Sequence, residues 1–172
     1  MSDLEHHTDY QKLLERISGT FSTGRMAAFQ AVNTQLLDTY WRVGQHIVEF
    51  EQGGKDRAEY GKALINRLSA DLKLRHGRGF SRVNLIYMRL FYLHYPISQK
   101  PSDLLSWSHY VELLKLDDQL ERSFYEQQAI AERWSVAELK RQKASALQGR
   151  SPDVLNYDAK FLKDAIFFEL AG

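Results

Sequence analysis

LKLRHGRGFSRVNLIYMRLFYLHYP, residues 72–96, carries one helical pattern in, a glycine turn across, and a second helical pattern out. The turn is His76-Gly77-Arg78-Gly79, and the second helix is expected from about Ser81 to Tyr95. Glycine has the most backbone freedom to lose in a helix and reaches left-handed angles, so two of them in four residues mark a corner between helices. The corner also gathers charge. From Lys62 to Arg89 the bases are Lys62, Arg67, Lys73, Arg75, Arg78, Arg82 and Arg89, against the single acid Asp71. The whole chain carries a net charge of only +1. A helix, a glycine turn and a second helix with a basic corner is the sequence form of a DNA-binding helix-turn-helix.

A packed helical hairpin with solvated cations has the same form. Spacing residues of the second helix by 100° puts Arg82 and Arg89 on one narrow stripe, with Leu85 and Leu93 beside them. Val83, Ile86, Tyr87, Met88, Leu90, Phe91 and Tyr95 cover most of the remainder. A helix apolar nearly all round is a buried helix, so only its N-terminal end, at Ser81, Arg82 and Leu85, is expected to reach a groove.

At 172 residues the chain fits one domain, or one domain and a small extension. A hydrophobic content of 44% supports a real core, and a charged content of 26% is ordinary for a soluble protein. No apolar run reaches the ~18 residues of a membrane span. The polar, acidic start MSDLEHHTDYQKLLERI does not read as a signal peptide, so a cytoplasmic location is the default expectation. With no cysteine there is no disulfide, no thiolate metal site and no thiol nucleophile. Charge is segregated: Asp103 to Glu132 holds seven acids and only Lys115 and Arg122 as bases. Such polarity could orient a protein on a polyanion, although solvated faces of amphipathic helices explain most of these acids.

Working outward from the corner, a first helix is expected over Asp9–Ser18, a loop over Gly19–Gly24, and a long helix over about Arg25–Glu51. In the long helix Phe29, Leu36, Val43 and Phe50 recur every seven residues, with Asn33, Tyr40 and Ile47 between them. This is an a/d seam that could pair two chains as a homodimer through Phe29–Phe50 or pack inside one bundle, with Asn33 a candidate for setting register. Gln52–Lys55 reads as a turn, and a helix from about Arg57 to Arg75 has Leu64, Leu68 and Leu72 four apart. Pro96 ends the helix after the corner. The connector that follows shows no alternating pattern, so no winged-helix hairpin is expected. Later helices are expected over Leu105–Leu116, over Asp118–Arg133 with Asp117 as cap and Leu120, Phe124 and Ile130 inward, and from a capping box at Ser135–Glu138 to about Leu147. Gln148–Asn156 reads as a linker before a last apolar run, Phe161–Leu170.

Chemistry is sparse. His6, His7, His46, His76, His94 and His109 form no His-x3-His pair and no cluster with carboxylates, so no metal site is expected. No phosphate-binding glycine loop is present. Pro152-Asp153 and Asp158-Ala159-Lys160 spell the PD…DxK string of metal-dependent nucleases, but only four residues separate the halves, within a polar linker with no strand pattern. Trp107-Ser108-His109-Tyr110, Phe124-Tyr125 and Trp134 read first as core anchors at helical spacing and second as base-stacking platforms.

Several blocks together resemble a known family. Tyr40-Trp41-Arg42-Val43-Gly44, Tyr60-Gly61-Lys62, Gly79-Phe80-Ser81-Arg82-Val83-Asn84-Leu85, Leu105–Tyr110, Glu121–Tyr125 and Trp134–Leu139 are similar, in this order, to the N-terminal domain of the YhcG-like family. Phe161-Leu162-Lys163-Asp164 looks like the family's junction into its second domain. The resemblance implies a bacterial or archaeal protein longer than this chain. Its C-terminal half would be a PD-(D/E)XK nuclease with Mg2+, and its helical, helix-turn-helix-like N-terminal half would bind DNA. The catalytic residues and the metal would then lie outside this chain, which would itself carry no catalytic site and no cofactor. Two positions depart from the pattern: Ala137 stands where an arginine is usual, and Lys143 where an apolar residue is usual.

The expected protein is therefore an all-α domain with a helix-turn-helix-like core and a long N-terminal helix, over residues 1–147, followed by a linker and the start of a second domain over 148–172. The expected DNA contacts are Lys73, Arg75, His76, Arg78, Ser81, Arg82, Asn84 and Arg89, with cations and the helix N-terminus near Ser81 on phosphates. The alternative is a protein-interaction or self-association module of a restriction or defence protein. No small-molecule substrate and no membrane partner is expected.

Overall fold

The computed structural model describes residues 2–53, 61–96 and 101–148, with side chains described over 8–53, 63–96 and 101–146. The described residues are all-α, as the periodicities predict. α1 runs Ser2–Gln52, α2 Gly61–His76, α3 Arg82–His94, α4 Trp107–Leu113, α5 Gln119–Ala131 and α6 Val136–Gln148, with a 3-10 turn at Arg78–Phe80. The expected turn at Gln52–Lys55 and helix start at Arg57 fall partly outside these residues. Gln148, expected to open the linker, ends α6 instead; the rest of the linker, the last apolar run and the PD…DxK string fall outside them.

α1 corrects the expected break at Gly19–Gly24. It is one helix of 51 residues, about 76 Å long at 1.5 Å per residue. Each glycine weakens a helix by about 1 kcal/mol but does not stop it, because propagation still gains one hydrogen bond per residue. The Thr20 hydroxyl donates to the Arg16 carbonyl at 2.9 Å, so this polar side chain is held within the helix.

The C-terminal half of α1 lies against α3, and there the expected seam divides. Asn33 and Ile47 turn inward and Tyr40 is half-buried, whereas Phe29 and Leu36 stay outside. Asn33 does not set a register between chains. Its amide donates to the carbonyls of Asp103 and Leu105, at 3.0 and 2.9 Å, and pins the connector before α4 onto α1. Trp41 donates to the Tyr95 carbonyl at 2.6 Å and so ties α1 to the end of α3. At Gly44 the two helices meet backbone to backbone.

α3 is the central element. Leu85, Met88 and Phe91 are fully buried on it. Leu85 was expected to reach a groove, but it packs with Ile47, Ile65 and Met88 in the cluster between α1, α2 and α3. Phe91 belongs to the larger cluster, where its ring lies 5.0–5.3 Å from those of Tyr95, Trp107 and Tyr110. The aromatic blocks are thus core anchors.

α5 corrects a second expectation. Leu120 is exposed and Asp118, not Asp117, caps the helix, accepting from Leu120 N and Glu121 N at 2.6 and 3.0 Å. The buried face is Arg122, Tyr125 and Ala129. Arg122 tolerates burial because it donates to the Leu116 and Asp117 carbonyls, at 2.7 and 3.4 Å. α6 starts on half of the expected box: Ser135 accepts from Glu138 N, while the Glu138 carboxylate turns to Arg141 and Gln142.

The acids of this half mostly have structural partners. Glu112 is buried with Lys115 at 2.6 Å, Lys143 at 3.4 Å and Lys140 at 3.7 Å. Burial pushes the Glu112 carboxyl up, but Lys115 and Lys143 outweigh it and hold the carboxyl below its usual range. Lys115 and Lys140 can swing to water, whereas Lys143 is only 12% exposed. Glu112→Gln leaves that ammonium only the backbone carbonyl of residue 112, to which it already donates, and should cost about 2 kcal/mol in urea denaturation, below the full penalty for an unpaired buried charge. A lowered carboxyl pKa adds stability at neutral pH that disappears as the pH falls through it. The variant should therefore lose less stability than the parent on acidification over that window.

Candidate nucleic-acid interface

The corner between α2 and α3 is built by local chemistry. The last turn of α2 carries Lys73, Arg75 and His76, whose charges suit the negative end of a helix. Gly77 then takes φ +89°, an angle glycine reaches without strain, while its N–H still donates to the Lys73 carbonyl at 2.9 Å. The 3-10 turn Arg78–Phe80 is tethered to α2 by the Ser69 hydroxyl, which donates to the Phe80 carbonyl at 2.9 Å. Ser81 caps α3, its hydroxyl accepting from Asn84 N at 3.1 Å. The amides of Arg82 and Val83 have no partner within the first turn of an α-helix and face outward from its start.

The corner sorts the expected contact residues into two sets. Lys73, Arg75, Arg78 and Arg82 are exposed, and among the described residues none of the four is paired with a carboxylate. His76 is exposed beside them, its ring centroid 5.7 Å from that of Phe80. The other three work inside the protein: Ser81 as the cap of α3, and Arg89 and Asn84 as links between elements. Arg89 is held by Glu51 of α1 at 2.7 Å, a staple between α1 and α3 rather than a free cation. Asn84 donates to the Gly79 carbonyl and accepts from the Trp107 indole N–H at 2.8 Å. With both ends of its amide engaged, it braces the turn.

Sequence reasoning missed Ser69 and Trp107 as supports of the corner, because each acts across a distance in sequence that no local pattern reports. It also missed that Leu74 is 89% and Val83 58% exposed, which puts two apolar side chains among the cations. The helical wheel held the signal for Leu74, which lies off the Leu64–Leu68–Leu72 line. The described residues contain no group of three or more His, Asp or Glu side chains able to hold a metal ion. No helix among them is long and apolar enough to cross a membrane.

An all-α domain with an exposed cationic corner and no metal-binding group among the described residues is the class this chain falls into. The family described as the DUF1016 N-terminal domain matches residues 16–150, and the chain belongs to that family. It is similar to the Escherichia coli (strain K12) protein named "Putative nuclease YhcG", with 38% identity over 181 aligned residues. The alignment covers 87% of this chain and 48% of the relative, so the chain spans about half of that protein's length. No solved structure matches.

Proposed function

We propose that this domain binds DNA through the α2–α3 corner and positions a PD-(D/E)XK-type nuclease domain that lies beyond it, in the manner of a helix-turn-helix. The observation that carries the reading is the cluster of Lys73, Arg75, Arg78 and Arg82, exposed on one corner and without carboxylate partners among the described residues, beside outward-facing amides at the start of α3. Phosphates bind cations and helix N-termini by charge and hydrogen bonding, without regard to base sequence. The exposed Leu74 and Val83 supply the apolar contacts that thymine methyl groups accept. The name of the Escherichia coli relative adds a nucleic-acid substrate for the whole protein. On this reading the domain ends near residue 147, the chain after 148 leads into the nuclease, Mg2+ serves that nuclease alone, and the protein works in the cytoplasm.

Titration of the purified chain against a labelled random duplex, from about 50 to 200 mM salt, tests the reading. Several phosphate contacts predict tight binding at the low end and a steep linear fall of log affinity with log salt. Absence of binding at the low end would remove DNA as the partner and leave the second reading, a protein-interaction module, which the exposed apolar face of α1 favours.

A further inference from the structure

We infer that residues 8–36 of α1 form an antiparallel pair with the same segment of a second copy of this chain. Every residue from 8 to 32 is exposed, and α1 first becomes buried at Asn33. The arm thus projects as about 37 Å of helix beyond the domain. It is not polar. Tyr10, Leu14, Ile17, Phe21, Phe29 and Val32 are 44–71% exposed, and all lie on one side of the helix.

Such an arm has a stability problem that a partner solves. Most helix stability in proteins comes from covering an amphipathic face rather than from propensity, and this arm leaves such a face uncovered. This one contains Gly19 and Gly24 within a Ser/Thr-rich stretch. Its exposed apolar side chains hold on the order of 800–1,000 Å2, the area one partner contributes to a standard interface. A lipid surface fits less well. The arm's charged residues, Asp9, Lys12, Glu15, Arg16 and Arg25, are mixed in sign rather than basic.

The seam names a second copy as the occupant. Tyr10, Leu14, Ile17 and Phe21 are spaced four, three and four, and the same repeat continues through Gly24, Ala28, Ala31 and Gln35. Its N-terminal half is bulky and its C-terminal half small. Antiparallel pairing sets Phe21 against Gly24, Ile17 against Ala28, Leu14 against Ala31 and Tyr10 against Gln35, and brings Val32 over Leu13. The three inner layers each join a large residue to a small one, and a two-fold axis relates the two halves, as an isologous interface requires. Parallel pairing would stack bulk on bulk at one end and leave a gap at the other.

Sedimentation velocity on the purified chain at about 50 μM should give a dimer, and Ile17→Glu with Phe21→Glu should weaken it by more than a hundredfold. Tryptophan fluorescence should stay native in that variant, since Trp41, Trp107 and Trp134 pack within the domain core rather than on the arm. The chain has no cysteine, so introduced thiols report cleanly. Leu14→Cys mixed with Ala31→Cys should give a disulfide-linked dimer, while neither alone should, because in the antiparallel pair equal positions lie about 25 Å apart along the axis. A monomeric parent chain, a dimer that survives both glutamates, or cross-linking of Leu14→Cys by itself would each overturn the proposal.

Discussion

Gly44→Ala should be the most damaging single methyl group that can be added to this domain. An alanine Cβ at that position would lie 2.0 Å from the Met88 carbonyl oxygen, 2.8 Å from its carbon and 3.0 Å from the Tyr92 Cβ. The first two obstacles are backbone, so no rotamer change relieves them. α1 and α3 would have to separate, loosening Leu85, Met88 and Phe91, which are fully buried along the same face of α3. Overpacking typically costs 1–3 kcal/mol when side chains can shift. Here, where they cannot, about 4 kcal/mol is expected, read as a collapse of the thermal midpoint. Gly19→Ala is the control. Nothing lies within 4 Å of its added methyl, the position faces away from the proposed pairing seam, and alanine is the better helix former. That variant should gain up to about 1 kcal/mol of helix stability, visible as increased helicity by circular dichroism.

The second large effect should appear in binding. Arg78→Ala with Arg82→Ala removes two of the four exposed cations at the corner while leaving Ser69, Ser81 and Asn84 to hold its shape. Each lost phosphate contact lowers the salt slope by about 1, so the pair should lower it by about 2 and weaken binding about a hundredfold near 50 mM salt. The loss should be uniform across duplex sequences, since phosphate contacts carry no base information. Arg89→Ala distinguishes a surface from a staple. Because Arg89 is held by Glu51, its removal should lower stability and leave the salt slope nearly unchanged. An unaltered slope in the double variant would mean that DNA binds elsewhere or not at all.

Much of this architecture was legible in the sequence because it follows from local rules. Gly77 announced the corner, Ser81 and Ser135 announced helix starts, and the apolar wrapping of Val83–Tyr95 announced the central helix, although Val83 and Leu93 stay exposed on it. The failures have a common cause. The break at Gly19–Gly24 was read from propensity, and propensity alone does not end a helix whose flanking turns propagate. Leu120 was placed inside by polarity, but the buried face takes Arg122 instead, which donates to two carbonyls at the end of the preceding loop. In the candidate site, the exposed cations were visible as a run of charge. Which of them were already spent was not, because Glu51 lies 38 residues from Arg89 and Trp107 lies 23 from Asn84.

The uninterrupted length of α1 makes it a spacer. The corner sits beside Val43, His46 and Phe50, near the far end of that helix. Measured from the centre of the proposed pair, between Phe21 and Gly24, each corner is about 35 Å away along a stiff rod, so two corners stand about 70 Å apart. That distance is close to two turns of B-form duplex, each about 34–36 Å. If the corner binds DNA as proposed, a double-ended rod of this kind would meet one face of a duplex at two points two turns apart, and a nuclease domain following each copy would be delivered to it in duplicate.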